Sequence, residues 1–241
     1  MGIPAYVCLM LICGLGAFCQ RVTGFGMGVI AMLFLPSLFQ SHTVPAAIIS
    51  ILSASASLFH SIQNRKHIQW RIMIPPACAA LIIIPIAVSL AASLPQLVMK
   101  RMFGVVLLLL SLYFLFGSKR IHLKPTIASG LLAGSLGGVL SGLFSSGGPP
   151  IILYVVHAIP DKLAYFATVQ TYFALTNIYA TTNRIIGGLI TREILFYTAL
   201  ATVGVVLGDK LGGKIFHKLD ADRLRKLIYI GMLLSGILML F

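Results

Sequence analysis

Polar residues are so sparse along this chain that they divide it into ten apolar runs. The first five are Ile3–Cys19, Gly26–Phe39, Val44–Ile62, Ile72–Ala92 and Leu97–Phe116. The second five are Thr126–Phe144, Ile151–Ile159, Leu163–Thr182, Ile194–Leu207 and Leu224–Phe241. A helix needs about 20 apolar residues to cross the hydrocarbon of a bilayer, and most runs approach that once their polar ends are counted. The pattern predicts an all-α, polytopic membrane bundle of about 8–10 membrane segments. Two of those segments, the second and the seventh, are short, and each follows a Gly-rich break: "TGFGMG" (Thr23–Gly28) and "SSGGPP" (Ser145–Pro150).

The two breaks occupy corresponding places in a duplication. "LPQLVMKRMFGVVLLLLSLYFLF" (Leu94–Phe116) aligns with "LDADRLRKLIYIGMLLSGILMLF" (Leu219–Phe241), setting Lys100 and Arg101 on Arg225 and Lys226. Asn64 and Arg65 likewise fall on Asn183 and Arg184, and "TGFGMGVI" falls opposite "SSGGPPII". The three matches keep the same order, as a repeat requires. Residues 1–117 are predicted to form one repeat and 126–241 the other, joined by a basic loop at 118–125.

Charge decides how the repeats are oriented. Basic clusters lie at Arg65, Lys66 and Arg71, at Lys119, Arg120 and Lys124, and from Lys210 and Lys214 through Lys218 to Arg223, Arg225 and Lys226. An odd number of crossings per repeat puts all three clusters on one face, and an even number sends the last to the other. The positive-inside rule favours the odd count. The expectation is therefore two inverted internal repeats with the basic loops cytoplasmic.

Composition agrees. The chain is 59% hydrophobic and 10% charged, with a mean hydropathy of +1.00, against about 25% charged residues in soluble domains. The net charge of +13 comes from basic residues clustered between apolar runs, which is a bilayer pattern and not a nucleic-acid footprint. Cys8, Cys13, Cys19 and Cys78 form no CxxC pair, so neither a zinc site nor a disulfide framework is expected. The N-terminal run lacks a basic n-region and an A-x-A-like site, and reads as a retained membrane segment. No cofactor is expected.

The breaks are the candidate substrate site. Paired Gly/Pro-interrupted segments in matching halves are the best sequence pointer to a transporter's binding site. Glycines let a ligand approach the backbone, and a helix starting near Pro149 aims its free N–H groups and positive dipole end at the break. The candidate substrate-binding residues are Gln20, Arg21, Thr23, Gly24 and Gly26 from the first break. Ser145, Ser146, Gly147, Gly148 and Pro149 come from the second. Irregular backbone inside a membrane needs polar neighbours. One helical face of run eight supplies Gln170, Asn177, Thr181 and Arg184, matching Ser50, Ser57, Ser61 and Asn64 of run three. Gln170, Asn177 and Thr181 join the candidates, although interhelical hydrogen bonding would also account for such residues. Arg21 is an intramembrane charge able to grip an oxyanion bidentately, or to snorkel to the interface. His60 and Asp209 are coupling candidates, with Lys210 beside Asp209 offering a helix-end pair instead; His157 is a further candidate proton shuttle.

"GLGAFCQRVTGFGMGVIAMLFLP" and "GSLGGVLSGLFSSGGPPIILY" resemble the TauE/SafE sulfite-exporter family, and the likeness extends over nearly the whole chain. The second-half Gly-rich motif of that family is matched by Gly138, Ser141, Gly142, Gly147, Gly148 and Pro149. The first copy departs from it, with Gln20, Arg21 and Thr23 ahead of Gly24 and Gly26. The resemblance implies a permease for small anions, often sulfur-containing ones such as sulfite or sulfonates, in a bacterial inner membrane. A passive anion channel or accessory membrane subunit is the alternative. An intramembrane enzyme needs a metal set or an activated nucleophile. None is evident, although Ser145, Ser146 and His157 leave a Ser–His pair without an orienting third member. Candidate partners are a small anionic substrate, the lipid bilayer, a coupling proton or sodium ion, and a second copy in a homodimer.

Overall fold

A computed structural model describes residues 2–117, 125–215 and 221–240. Among the described residues there are ten α-helices and no strand. The first five are α1 (Ile3–Thr23), α2 (Met27–Phe39), α3 (Thr43–Gln63), α4 (Trp70–Ser93) and α5 (Gln96–Leu112). The second five are α6 (Ile127–Phe144), α7 (Gly148–Ala158), α8 (Lys162–Ile186), α9 (Arg192–Ile215) and α10 (Ala221–Leu240). A 3₁₀ turn at Arg65–His67 follows α3, and a π turn at Tyr113–Gly117 extends α5.

Local sequence sets most boundaries. Thr126 opens α6 with a capping box to Ser129, and the Asp161 carboxylate accepts from Ala164 N–H at the start of α8. Among the described residues six helices are long and apolar enough to cross a membrane: α1, α3, α4, α5 with part of its π turn, α6 and α9. At 1.5 Å per residue, α2 (13 residues) and α7 (11 residues) reach only about 20 and 16 Å, short of the roughly 30 Å hydrocarbon core. The 25 residues of α8 are long enough but carry many polar groups. Most of them are buried inside the bundle. Large apolar side chains such as Leu11, Ile82, Ile86, Leu132 and Leu238 point outward instead, the inverse of a water-soluble surface. The chain is an integral membrane protein with an all-α, polytopic bundle.

Packing interleaves the two halves. α1 lies along α9, α4 along α6, α3 against α8, and α5 against α10. Small residues permit the close approach that drives helix association in lipid. A Cβ on Gly204 would strike the Met10 carbonyl, and one on Gly208 the Gly14 carbonyl. In the same way Gly134 fits only against the backbone of Pro76, and Gly138 lies against Ala80. The central pair, α3 and α8, carries the polar faces.

Some boundaries differ from the sequence pattern. α1 continues past Cys19 through Gln20, Arg21 and Thr23, so those residues are its last turn and the break shrinks to Gly24–Gly26. Lys210 and Lys214 lie on α9, and Arg223, Arg225 and Lys226 on α10. Of the connecting loop called at 118–125, residues 118–124 lie outside the described residues, as does Lys218.

Candidate functional site

The first break forms because α1 ends in left-handed backbone that suits glycine. Gly24 has φ +88° and donates its N–H to the Gln20 carbonyl (2.9 Å); Gly26, at φ +118°, then starts α2. The second break ends α6 at Ser145, a non-glycine residue at φ +51°. Its N–H donates to Ser141 O (3.0 Å), and Ser146 N–H donates to Leu140 O (3.2 Å). The Ser145 hydroxyl donates to the Ala46 carbonyl on α3 (2.7 Å) and holds this unusual conformation in place. α7 then begins at Gly148 with Pro149 in its first turn, where a missing N–H costs nothing.

The two breaks meet. A Cβ on Gly28 would collide with the Ser145 carbonyl, so the first turn of α2 rests directly on the end of α6. Between them is a cavity of about 20 Å³ lined by Gly26, Gly28 and Ser145–Gly148 from the breaks, and by Gln20, Ser53, Phe173 and Asn177 from the helices. That volume holds about one water molecule. Both α2 and α7 start here, so their dipoles place positive potential on the cavity. Pro149 and Pro150 remove two donors from α7.

Polar side chains of α3 and α8 brace this junction. The buried Gln20 amide donates to Ser57 Oγ (3.0 Å) and Gln170 Oε1 (3.1 Å), and Gln170 donates to the Gly24 carbonyl (3.2 Å). Tyr165 donates to Thr23 O (3.3 Å), while the Thr23 hydroxyl lies within reach of the carbonyls of Cys19 and Phe25. Asn177 Nδ2 donates to Ser53 Oγ (3.3 Å) and to Phe173 O (2.9 Å); its Oδ1 is buried without a partner.

The structure thus brings Gln20, Gly26, Ser145, Ser146, Gly147, Gly148 and Asn177 to one cavity. Thr23, Gly24 and Gln170 support it from behind. Pro149 and Thr181 do not line it. Neither does Arg21, which belongs to a separate chain of contacts. Its Nη1 lies 2.9 Å from His60 Nδ1, its guanidinium carbon sits 5.1 Å from the centre of the Phe166 ring, and His60 Nε2 lies 2.7 Å from Asp209 Oδ1. Arginine has no acceptor, so Nδ1 accepts from Arg21 and Nε2–H donates to Asp209. The helix-end pairing of Asp209 with Lys210 gives way to this cross-helix bond, because Asp209 lies inside α9. The His157 side chain lies outside the described residues.

Sequence reasoning left Arg184 out of the site, although it ended the polar stripe of run eight. It is 3% exposed, and its Nη2 donates to the carbonyls of Ser141 (3.3 Å) and Gly142 (2.7 Å) in the last turn of α6. Gly28 belongs to the quoted motif, but only contact geometry places it, and Ser53 of α3, at the cavity. Outside the site, His42 sits between α2 and α3 with its backbone N–H donating to Gln96 Oε1 (2.8 Å). Burial pushes its imidazole below the ordinary histidine range and nearby Lys100 adds to this, while the side-chain bond to Gln96 opposes it.

The protein is a polytopic bundle in which two short helices start at a shared, glycine-walled junction, an arrangement that many membrane transporters use. A family model described as Sulfite exporter TauE/SafE matches residues 9–239, and the chain belongs to that family. It is a family of exporters and not of enzymes. The "Probable sulfite/organosulfonate exporter TauE" of Cupriavidus necator (strain H16) is 27% identical over 212 residues, covering 85% of this chain and 81% of the relative. No solved structure matches.

Proposed function

We propose that this chain is a secondary transporter that exports sulfite or a small organosulfonate across the bacterial inner membrane, by alternating access around the junction of the two breaks. The observation that carries this reading is the seating of Gly28 on Ser145, which brings two helix starts and the amides of Gln20 and Asn177 to one point. An oxyanion needs N–H and O–H donors in a place shielded from water, and helix starts supply them without a mobile cation. The named relative and the family description favour sulfur oxyanions.

A cavity with room for about one water molecule is too small for a four-atom oxyanion. Transport therefore requires the breaks to part. The repeats, 1–117 and 126–241, are read as inverted copies. In support, the helices recur in the same order of long and short, and the pairing of α1 with α9 has its counterpart in that of α6 with α4. Rocking of one such pair against the central α3 and α8 would open the junction to alternate sides.

The coupling ion in this reading is a proton, taken up at His60. Facing this residue are Arg21 from α1, Asp209 from α9 and the uncharged Phe166 from α8, with Lys210 lining the same groove. A proton on Nδ1 cannot coexist with the Arg21 bond, so proton uptake would break this tie between α1 and α3 and leave the Gln20–Ser57 bond. Reconstitution into liposomes tests the whole reading. Sulfite flux that exceeds equilibrium under an imposed proton gradient, and not under a sodium gradient, supports it. Flux that never exceeds equilibrium identifies a channel, and absence of anion flux overturns the proposal.

A further inference from the structure

Arg184 is a buried cation, 3% exposed. Among the described residues it has no carboxylate partner, and its Nη1 is sealed from solvent with no hydrogen bond at all. Capping the end of α6 explains only Nη2. Of the two carbonyls that Nη2 reaches, Ser141 O already accepts from Ser145 N–H. A neutral amide would serve the remaining one, Gly142 O. An ionised guanidinium in lipid is costly, and is functional by default.

The surroundings of Arg184 point to a ligand. Asn177, Thr181 and Arg184 stand at i, i+4 and i+7 on α8, which places them on one helical face. Each carries a buried polar atom without a partner: Asn177 Oδ1, Thr181 Oγ1 and Arg184 Nη1. Buried polar groups are nearly always satisfied, and here three unsatisfied atoms stand in one line on α8. The line begins with Asn177 at the cavity and ends at Arg184, which does not line it.

We propose that Thr181 and Arg184 form a second anion subsite beyond the cavity, taken by the transported oxyanion, and that its arrival draws the guanidinium off the last turn of α6. The guanidinium fork matches two oxygens of a sulfite or sulfonate group, and the Thr181 hydroxyl donates to a third. Trading the carbonyls of Ser141 and Gly142 for the anion loosens the turn from which Ser145 hangs. Substrate binding thereby opens the break. The inference rests on the anion-transporter reading, which wild-type flux tests by itself.

The experiment compares wild type, R184Q, R184K and T181V in proteoliposomes, reading sulfite KM and maximal flux, alongside the sulfite-induced rise in melting temperature in detergent. Gln keeps an N–H for the α6 carbonyl but loses the charge. R184Q is expected to fold, to raise KM about tenfold or more, and to lose the sulfite-induced stabilisation. R184K, which keeps the charge without the fork, should fall between, and T181V should raise KM about threefold. If R184Q does not fold, R184K decides. Wild-type KM and wild-type stabilisation in the folded Arg184 variants would overturn the subsite while leaving the transporter standing, whereas a wild-type protein with no anion flux removes the larger reading.

Discussion

Gly28→Ala is the smallest change that should separate the two breaks. The added methyl would point at the Ser145 carbonyl, and Ser146 Cα is only 3.1 Å from the same position. Both obstacles are backbone, and Ser145 is tied to Ala46 O at 2.7 Å, so neither can rotate away. A carbon needs about 3.3 Å from a carbonyl oxygen, and α2 and the end of α6 must therefore part by roughly an ångström. Overpacking of this kind costs about 1–3 kcal/mol. At about 2 kcal/mol the closed junction is weakened some thirtyfold. Sulfite flux from proteoliposomes, read beside thermal unfolding in detergent, measures both consequences. The expectation is a lowered melting temperature and at least about a tenfold loss of flux. Gly2→Ala is the control, because its Cβ meets only Pro4 Cδ at 3.6 Å, and it should change stability by no more than about 0.5 kcal/mol. Wild-type flux and melting in G28A would refute the claim that the closed junction depends on contact between the breaks.

Other positions yield further tests. Ser145→Ala removes the bond to Ala46 O and leaves alanine at φ +51°, so it should destabilise the protein by about 1–3 kcal/mol in chemical or thermal melts. His60→Gln should flatten the dependence of sulfite flux on an imposed proton gradient. His42→Gln should leave that dependence unchanged, since burial pushes the His42 imidazole below the ordinary histidine range and so favours its neutral form; gradient dependence that survives H60Q and vanishes in H42Q would refute the assignment. Gly204→Val would drive a branched side chain into the Met10 carbonyl. It should abolish folded yield, seen as loss of the monodisperse peak on size-exclusion chromatography.

The short helices and their breaks were legible because glycine and proline dictate local backbone whatever surrounds them. Gly24 and Gly26 take left-handed backbone and Pro149 the first turn of α7, although the left-handed position of the second break falls to Ser145. The α8 stripe was legible for a similar reason, since a helical period orders residues along one face. Arg21 was harder to place. Its partner His60 is 39 positions away, and the Asp209 that completes the chain is 149 positions beyond His60. Contacts of that separation depend on how whole helices pack, and the apolar pattern does not encode this. The same holds for Arg184, whose sequence position predicts a boundary residue but whose side chain is buried against the end of α6. α1 ran past its apolar run because Gln20 finds buried amide and hydroxyl partners on α3 and α8, which a sequence scan scores only as polar.

The interleaved packing also governs how the protein must be made. The glycines of α9 are built to close on the face of α1 that carries Met10 and Gly14, yet residues 24–191 are synthesised between the two helices. At elongation rates of about 5–20 residues per second, that delay is on the order of ten seconds or more. Throughout it, α1 waits in the bilayer without the helix that covers Met10 and Gly14. The first half cannot mature as an independent unit, and its earliest helix becomes vulnerable to quality-control proteases whenever translation stalls before Gly204.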